Sequence, residues 1–188
     1  VVDPGSCNFT RFEEIAKGEP GFVYQNPDEH FYEGMRICAE HKVVPSYAIY
    51  EPGFPRMGAA TAGARMGAPS PVYRFMFADG FTFGFPPRPA YLDAHLALLR
   101  EVADGYPWMI AGLGVDIRPL IPAAVERKGH VRVGLEDMPW GAPQSNRALV
   151  EEAVGIIRKA GGEPASAAEV RQAMKASDTF HKRGHAGP

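Results

Sequence analysis

One arginine and two carboxylates stand close together in the stretch GHVRVGLED (129–137): Arg132, Glu136 and Asp137. These residue types can do chemistry together. A carboxylate can bind a divalent metal ion. A neighbouring arginine can hold a substrate carboxylate through paired N–H donors. A second carboxylate, poised by that arginine, can take or pass a proton. The stretch also reads as a strand, where side chains alternate between faces. Val131, Val133 and Leu135 then share one face, and Arg132, Gly134 and Glu136 share the other. The first face suits packing against helices. In a doubly wound sheet the second would lie under helices as well, and burying both charges there is costly unless they pair. In a (β/α)8 barrel that face would look into the interior. Glu136 would then reach the mouth where barrel active sites form, with Asp137 following as the strand gives way to a loop. An Arg132–Glu136 ion pair that merely fills the interior is the plainer alternative.

A second candidate lies at the start of the chain, in DPGSCNF (3–9). Asp3 and Gly5 fall on one face of a strand, and Ser6 and Asn8 in the loop after it. Ser6 and Asn8 could hydrogen-bond a carboxylate or carbonyl, although Gly, Ser and Asn are also ordinary turn residues. AGLG (111–114) could offer backbone N–H groups to a phosphate, but a lone GxG reads more simply as a tight turn. Cys7 reads as a small packed residue rather than a nucleophile. His130 opens a strand and reads as packed or capped. His30, His41 and His95 lie on helical patterns and are expected at the surface.

These residues need elements to position them. Apolar β-branched and aromatic runs predict strands at 1–5, 43–51, 72–78, 107–114 and 129–137. Helical spacing predicts helices at 26–41, 89–103, 116–129 and 145–162, with a weak helix and loop over 54–71. Asn26 suits an N-cap, with Pro27 at the first helical position. Gly129 suits the C-terminal cap of the 116–129 helix. Ser145 caps the 145–162 helix, whose buried stripe is Leu149, Ala153, Ile156, Ile157 and Ala160. Ser166 and Glu169 form a capping box that starts a last helix. The residues from 177 onward, with His181 and His185, read as a disordered tail after a domain over 1–176. Strands alternating with helices imply parallel β/α units.

Composition limits the rest. The chain has 188 residues, 45% of them hydrophobic, and a net charge of −2, which suits one globular domain. No basic stripe or aromatic-basic interleaving argues for nucleic acid. No apolar run is long enough to span a bilayer, and no signal peptide opens the chain. Two cysteines without a CxxC suggest a reducing, cytoplasmic compartment. The apolar opening VVDPGS, without an initiator Met, is expected to belong to a longer or processed protein.

GHVRVGLED, followed by SNRALVEEAVGIIRKAGGEPASAAEVRQAM, resembles the C-terminal end of the β-keto acid cleavage enzymes, also called 3-keto-5-aminohexanoate cleavage enzymes. GSCNF is similar to that family's GSxNF segment. VPSYAIYEPG and WMIAGLG fall in order where the family has its fifth and seventh strands, and the likeness runs to about residue 176. The resemblance implies a zinc-dependent (β/α)8 TIM barrel, here incomplete and covering roughly strands 4–8. It implies acyl exchange of a β-keto acid with acetyl-CoA, giving acetoacetate and a new acyl-CoA. Carried over by position, Glu136 would be a Zn2+ ligand, Arg132 and Asp137 would assist proton transfer and orient the substrate, and Ser6 and Asn8 would bind the keto acid. Two features depart from the family: its His-x-His zinc pair is nowhere in this chain, and Ser46 and Ala48 replace its Glu-x-Glu, with Glu51 standing for its Asp. The partners implied are a small β-keto acid and a CoA thioester. Open sheet edges at both ends would favour self-association, as a homo-oligomer, or pairing with a complementing piece. A non-catalytic barrel fragment and a different metal-dependent barrel lyase or aldolase stay open as alternatives.

Overall fold

A computed structural model of the chain describes residues 2–64 and 67–184. The elements are β1 (Cys7–Phe9), α1 (Phe12–Lys17), β2 (Phe22–Tyr24), α2 (Asp28–His41), β3 (Ser46–Ile49), α3 (Gly53–Gly63), β4 (Val72–Phe77), α4 (Pro89–Ala103), β5 (Trp108–Gly112), α5 (Ile121–Glu126), β6 (His130–Val131), α6 (Asn146–Lys159) and α7 (Ala167–Gly184). Short 3-10 turns at Arg118–Leu120 and Leu135–Asp137 precede α5 and follow β6. The architecture is α/β. Strands β3, β4, β5 and β6 form one parallel sheet in chain order, without a switch point. Parallel neighbours need a crossover connection, and α3, α4 and α5 supply them.

Register sorts the strand side chains into two faces. Tyr47 pairs with Tyr73, Phe75 with Ile110, and Ile110 with Val131. This face packs on helices. Phe75 stacks on His95 of α4 with ring centroids 4.5 Å apart, and Phe77 meets the same imidazole edge-on. Tyr47 packs on Phe31 and donates to the Met35 sulfur, both on α2. The other face carries Ala48, Arg74 and Met109 in one row. The aromatic and β-branched content of β4 suits a strand buried on both sides. Pro89 starts α4, and Leu92, Leu96 and Leu99 recur on its buried side. Ser145 caps α6 by accepting from the Ala148 N–H, and the Ser166–Glu169 box starts α7 as expected.

Several expectations are corrected. The strand read over 129–137 is only two residues long, and Leu135–Asp137 turns instead. Leu135 therefore leaves the packing face and is exposed. The opening run forms only a bridge, Val2 to Tyr47, beside β3. Residues 7–24 fold as an antiparallel pair, β1 with β2, enclosing α1. Asn26 does not cap α2. Its backbone N–H binds the Ser6 hydroxyl and its side-chain amide binds the Gly5 carbonyl, so it secures the preceding segment. Lys128, not Gly129, takes the left-handed conformation after α5. Gly129 is needed for space, because a Cβ there would lie 2.1 Å from the Trp108 ring. Ala160 is exposed rather than part of the α6 stripe. His95 is buried, not at the surface. The helix α7 continues to Gly184, so the tail read as disordered from 177 is helical that far. His185 lies outside the described residues.

Candidate functional site

The three residues of the opening stretch meet at the C-terminal ends of β5 and β6. Arg132 still follows the ladder, its N–H donating to the Ile110 carbonyl at 3.0 Å. Alternation turns its side chain away from the helices. Its guanidinium then spans the turn beyond. Nε and Nη2 donate to Asp137 Oδ1 at 3.1 and 2.8 Å, Nη2 also donates to the Gly112 carbonyl at 2.9 Å, and Nη1 pairs with Glu136 Oε2 at 2.8 Å. Asp137 Oδ1 accepts a further hydrogen bond, 2.6 Å, from the Gly112 N–H.

The surrounding backbone holds this geometry. Asp137 N–H donates to Gly134 O, Gly114 N–H to Glu136 O, and Ile117 N–H to Asp137 O. Asn146, at the start of α6, accepts from the Leu135 N–H. Gly112 must be small here, because a Cβ would stand 3.0 Å from the Val115 carbonyl and 3.4 Å from the Asp137 Cα. The AGLG segment is thus a tight turn whose N–H groups are used within the protein. Gly112 serves Asp137, Leu113 the Phe77 carbonyl, and Gly114 the Glu136 carbonyl.

The two carboxylates differ in setting. The Asp137 side chain is 3% exposed and the Glu136 side chain 50%. Burial holds Asp137 above the usual carboxylate range, against the opposing pull of Arg132 and the Gly112 N–H. The buried acid of the pair is therefore Asp137, where the alternation argument had placed Glu136. Oδ1 of Asp137 takes all of its hydrogen bonds, and Oδ2 has no partner among the described residues.

Ser6 and Asn8 lie elsewhere. Asn8 is in β1 opposite Val23, not in a loop, and both residues are exposed. Ser6 is engaged by Asn26. Among the described residues no hydrogen bond joins either to the Arg132 cluster. Cys7 is pushed up to about 12 by burial, and further by the carboxylates of Glu51 and Asp3, so its thiol stays protonated near neutral pH.

Sequence reading passed over Arg74. It is a charged residue in the middle of β4, on the same face as Arg132, and it is 9% exposed. Its signal was visible. It is the one charge in VYRFMF (72–77), the same anomaly that drew notice to Arg132.

A family model for the β-keto acid cleavage enzymes matches residues 1–175. The chain belongs to this family. The 3-keto-5-aminohexanoate cleavage enzyme of Fusobacterium nucleatum is 26% identical over 179 residues, covering 93% of this chain and 60% of that protein. The enzyme of the same name from Acetoanaerobium sticklandii is 24% identical, covering 92% and 60%. The 3-dehydrocarnitine:acetyl-CoA trimethylamine transferase of Rhizobium meliloti is 31% identical, covering 93% and 55%. The chain thus spans well under two thirds of the length of these relatives. In this member of the β-keto acid cleavage enzymes Arg132 and Asp137 are paired, but the described residues do not fit a catalytic zinc site. Among them no group of three or more His, Cys, Asp or Glu side chains could hold a metal ion, and such a site usually needs three protein ligands. Glu136 is moreover already paired with Arg132. Among the described residues no helix is long and apolar enough to cross a membrane.

Proposed function

We propose that this chain forms the C-terminal part, roughly strands 4–8, of a (β/α)8 barrel that cleaves a β-keto acid by acyl exchange with acetyl-CoA, giving acetoacetate and an acyl-CoA. The observation that carries this is the buried Arg132–Asp137 pair at the C-terminal ends of β5 and β6, within a family match over almost the whole chain. Active groups in such barrels sit at that end of the strands. Sheet order supports the same reading. Parallel strands following the chain without a switch point are what a segment of barrel wall requires.

The geometry gives each residue a task. Arg132 fixes Asp137 through Oδ1, which leaves Oδ2 without a partner among the described residues and able to take or return a proton. Burial raises the proton affinity of that carboxylate, which suits a base. Ser6 and Asn8, exposed on the β1 side, are the proposed contacts to the keto acid. Glu136 is the residue that would offer a ligand to a Zn2+ ion. The second reading, a non-catalytic fragment, is favoured for the chain on its own by the lack of any three-ligand cluster among its described residues.

The test joins these residues to the strands that the family supplies ahead of them. A protein so extended is expected to consume a β-keto acid with acetyl-CoA and to lose turnover on Glu136→Gln or Asp137→Asn. Absence of acetoacetate formation by the extended protein would sink the enzymatic reading. Stoichiometric zinc binding and cleavage by the 188-residue chain alone would overturn the claim that its site is incomplete.

A further inference from the structure

The site contains two arginines that differ in one respect. Every part of the Arg132 guanidinium is engaged, by Asp137, Glu136 and the Gly112 carbonyl. It therefore has little left for a substrate carboxylate, the role its sequence position had suggested. Arg74 has no hydrogen bond or ion pair among the described residues, and its Nε is buried without a partner. An unpaired buried charge is costly, so its retention needs a reason.

Position supplies one. Arg74 lies on the central strand, level with Ala48 on one side and Met109 on the other. Ala48 has no side-chain acceptor, and Met109 has only a weakly accepting thioether sulfur. Tyr73, Phe75 and Phe77 turn to the helices, so Arg74 turns to the site face, where its charge feels Arg132, Tyr50, Asp3 and Glu136. Asp3 follows the Val2–Tyr47 bridge and so stands about level with Ala48. That places it two strands from Arg74, roughly 10 Å between Cα atoms at the usual strand spacing. One Asp3 oxygen is held by the Tyr24 hydroxyl and the other is buried without a partner among the described residues. On the strand between them the residue level with Arg74 is Ala48, whose side chain is a methyl group.

We propose that Arg74 is the carboxylate anchor of this site, its guanidinium binding the carboxylate of the keto acid beside the Arg132–Asp137 pair. The proposal rests on the function proposed above and names the residue that recognises that substrate class. A planar guanidinium matches a carboxylate through two parallel hydrogen bonds, and the bound anion would supply the direct partner that Arg74 lacks among the described residues.

The test compares 3-hydroxybutyrate with 3-hydroxybutyramide, which differ at one terminal group, by NMR titration of the purified chain. The acid is expected to bind at least about tenfold tighter than the amide. Arg74→Met is expected to erase that preference, and Arg74→Lys to keep part of it. Arg74→Met should melt at or above the wild-type temperature, because it removes a charge that has no direct partner among the described residues. An unchanged preference in Arg74→Met overturns the proposal, as does the absence of any preference in the wild type. A large fall in melting temperature also overturns it, since the guanidinium would then be held by the protein itself. If the extended protein cleaves no keto acid yet the Arg74-dependent preference persists, the enzymatic reading falls and the anchor stands. Cleavage by Arg74→Met with an unchanged KM gives the reverse.

Discussion

The two faces of the parallel sheet treat buried polarity in opposite ways. On the helix-covered face Tyr73, Phe75, Phe77 and Ile110 are fully buried, and His95 is packed among the aromatic rings. Its Nε2 has no partner among the described residues, and burial pushes its pKa down to about 4, so the ring stays neutral at pH 7. On the site face Arg132 and Asp137 are set as an ion pair, because each meets the other and both meet Gly112. Neutralising a group suits a face whose only task is packing. Keeping charge requires partners fixed in advance, as Asp137 and the Gly112 carbonyl are for Arg132. Arg74 is the exception that lies on the site side.

The largest test of this contrast is to remove the buried carboxylate. Asp137→Ala leaves Arg132 with the half-exposed Glu136 as its sole carboxylate among the described residues, beside the Gly112 carbonyl, and frees the Gly112 N–H. Breaking a buried pair from one side costs about 3 to 4 kcal/mol, and urea unfolding should show it. A loss under about 0.5 kcal/mol would mean that the pair does not hold the turn.

The helix-covered face has its own test, with the sign set by His95. Its folded pKa of about 4 lies below the ordinary value of 6.5. The unfolded chain binds the proton more readily. Stability from the neutral ring is thus fully present above pH 6.5 and is lost as the pH falls toward about 4. The whole effect is roughly 3 kcal/mol. Carboxylates titrate in the same range, so the useful quantity is the difference in slope between wild type and His95→Leu. Equal slopes would show that His95 takes up its proton without cost.

How far the sequence reached follows the same division. The order of strands and helices was legible, because alternating apolar runs and caps are local signals, as at Ser145 and at Ser166–Glu169. The meeting of Arg132, Glu136 and Asp137 was legible too, since the three lie within one short stretch. Which acid is buried was not. The strand stops at Val131, and tertiary hydrogen bonds with Gly112, Gly114 and Asn146 help to shape the turn. His95 was misread because its helix buries more than the leucine stripe, and a histidine between two phenylalanine rings needs no charge. The β1–β2 pair was missed because each strand is three residues long, too short for a periodic signal. Arg74 was overlooked because its strand was judged by its apolar neighbours.

A smaller effect sharpens the packing side. Gly129 faces the Trp108 ring, which lies near Phe75. Gly129→Ala puts a methyl group into the indole at 2.1 Å and should cost about 2 kcal/mol through overpacking. A full-size Trp108 side chain that simply rotates away would reduce the loss to nearly nothing. In that case shape would govern the helix-covered face less tightly than its aromatic contacts indicate.

The smallest expected change separates distance from burial. Glu136 and Asp137 each pair with Arg132 at 2.8 Å, yet one side chain is 50% exposed and the other 3%. Water screens the first pair, and exposed pairs contribute less than about 1 kcal/mol. Glu136→Gln should therefore unfold within that margin of the wild type, even though the same substitution is expected to stop turnover in the extended protein. A stability loss as large as that of Asp137→Ala would mean that Glu136 is held in a shielded setting. The contrast between the two carboxylates would then rest on the donors that reach Asp137 alone, above all the Gly112 N–H, and not on exposure to water.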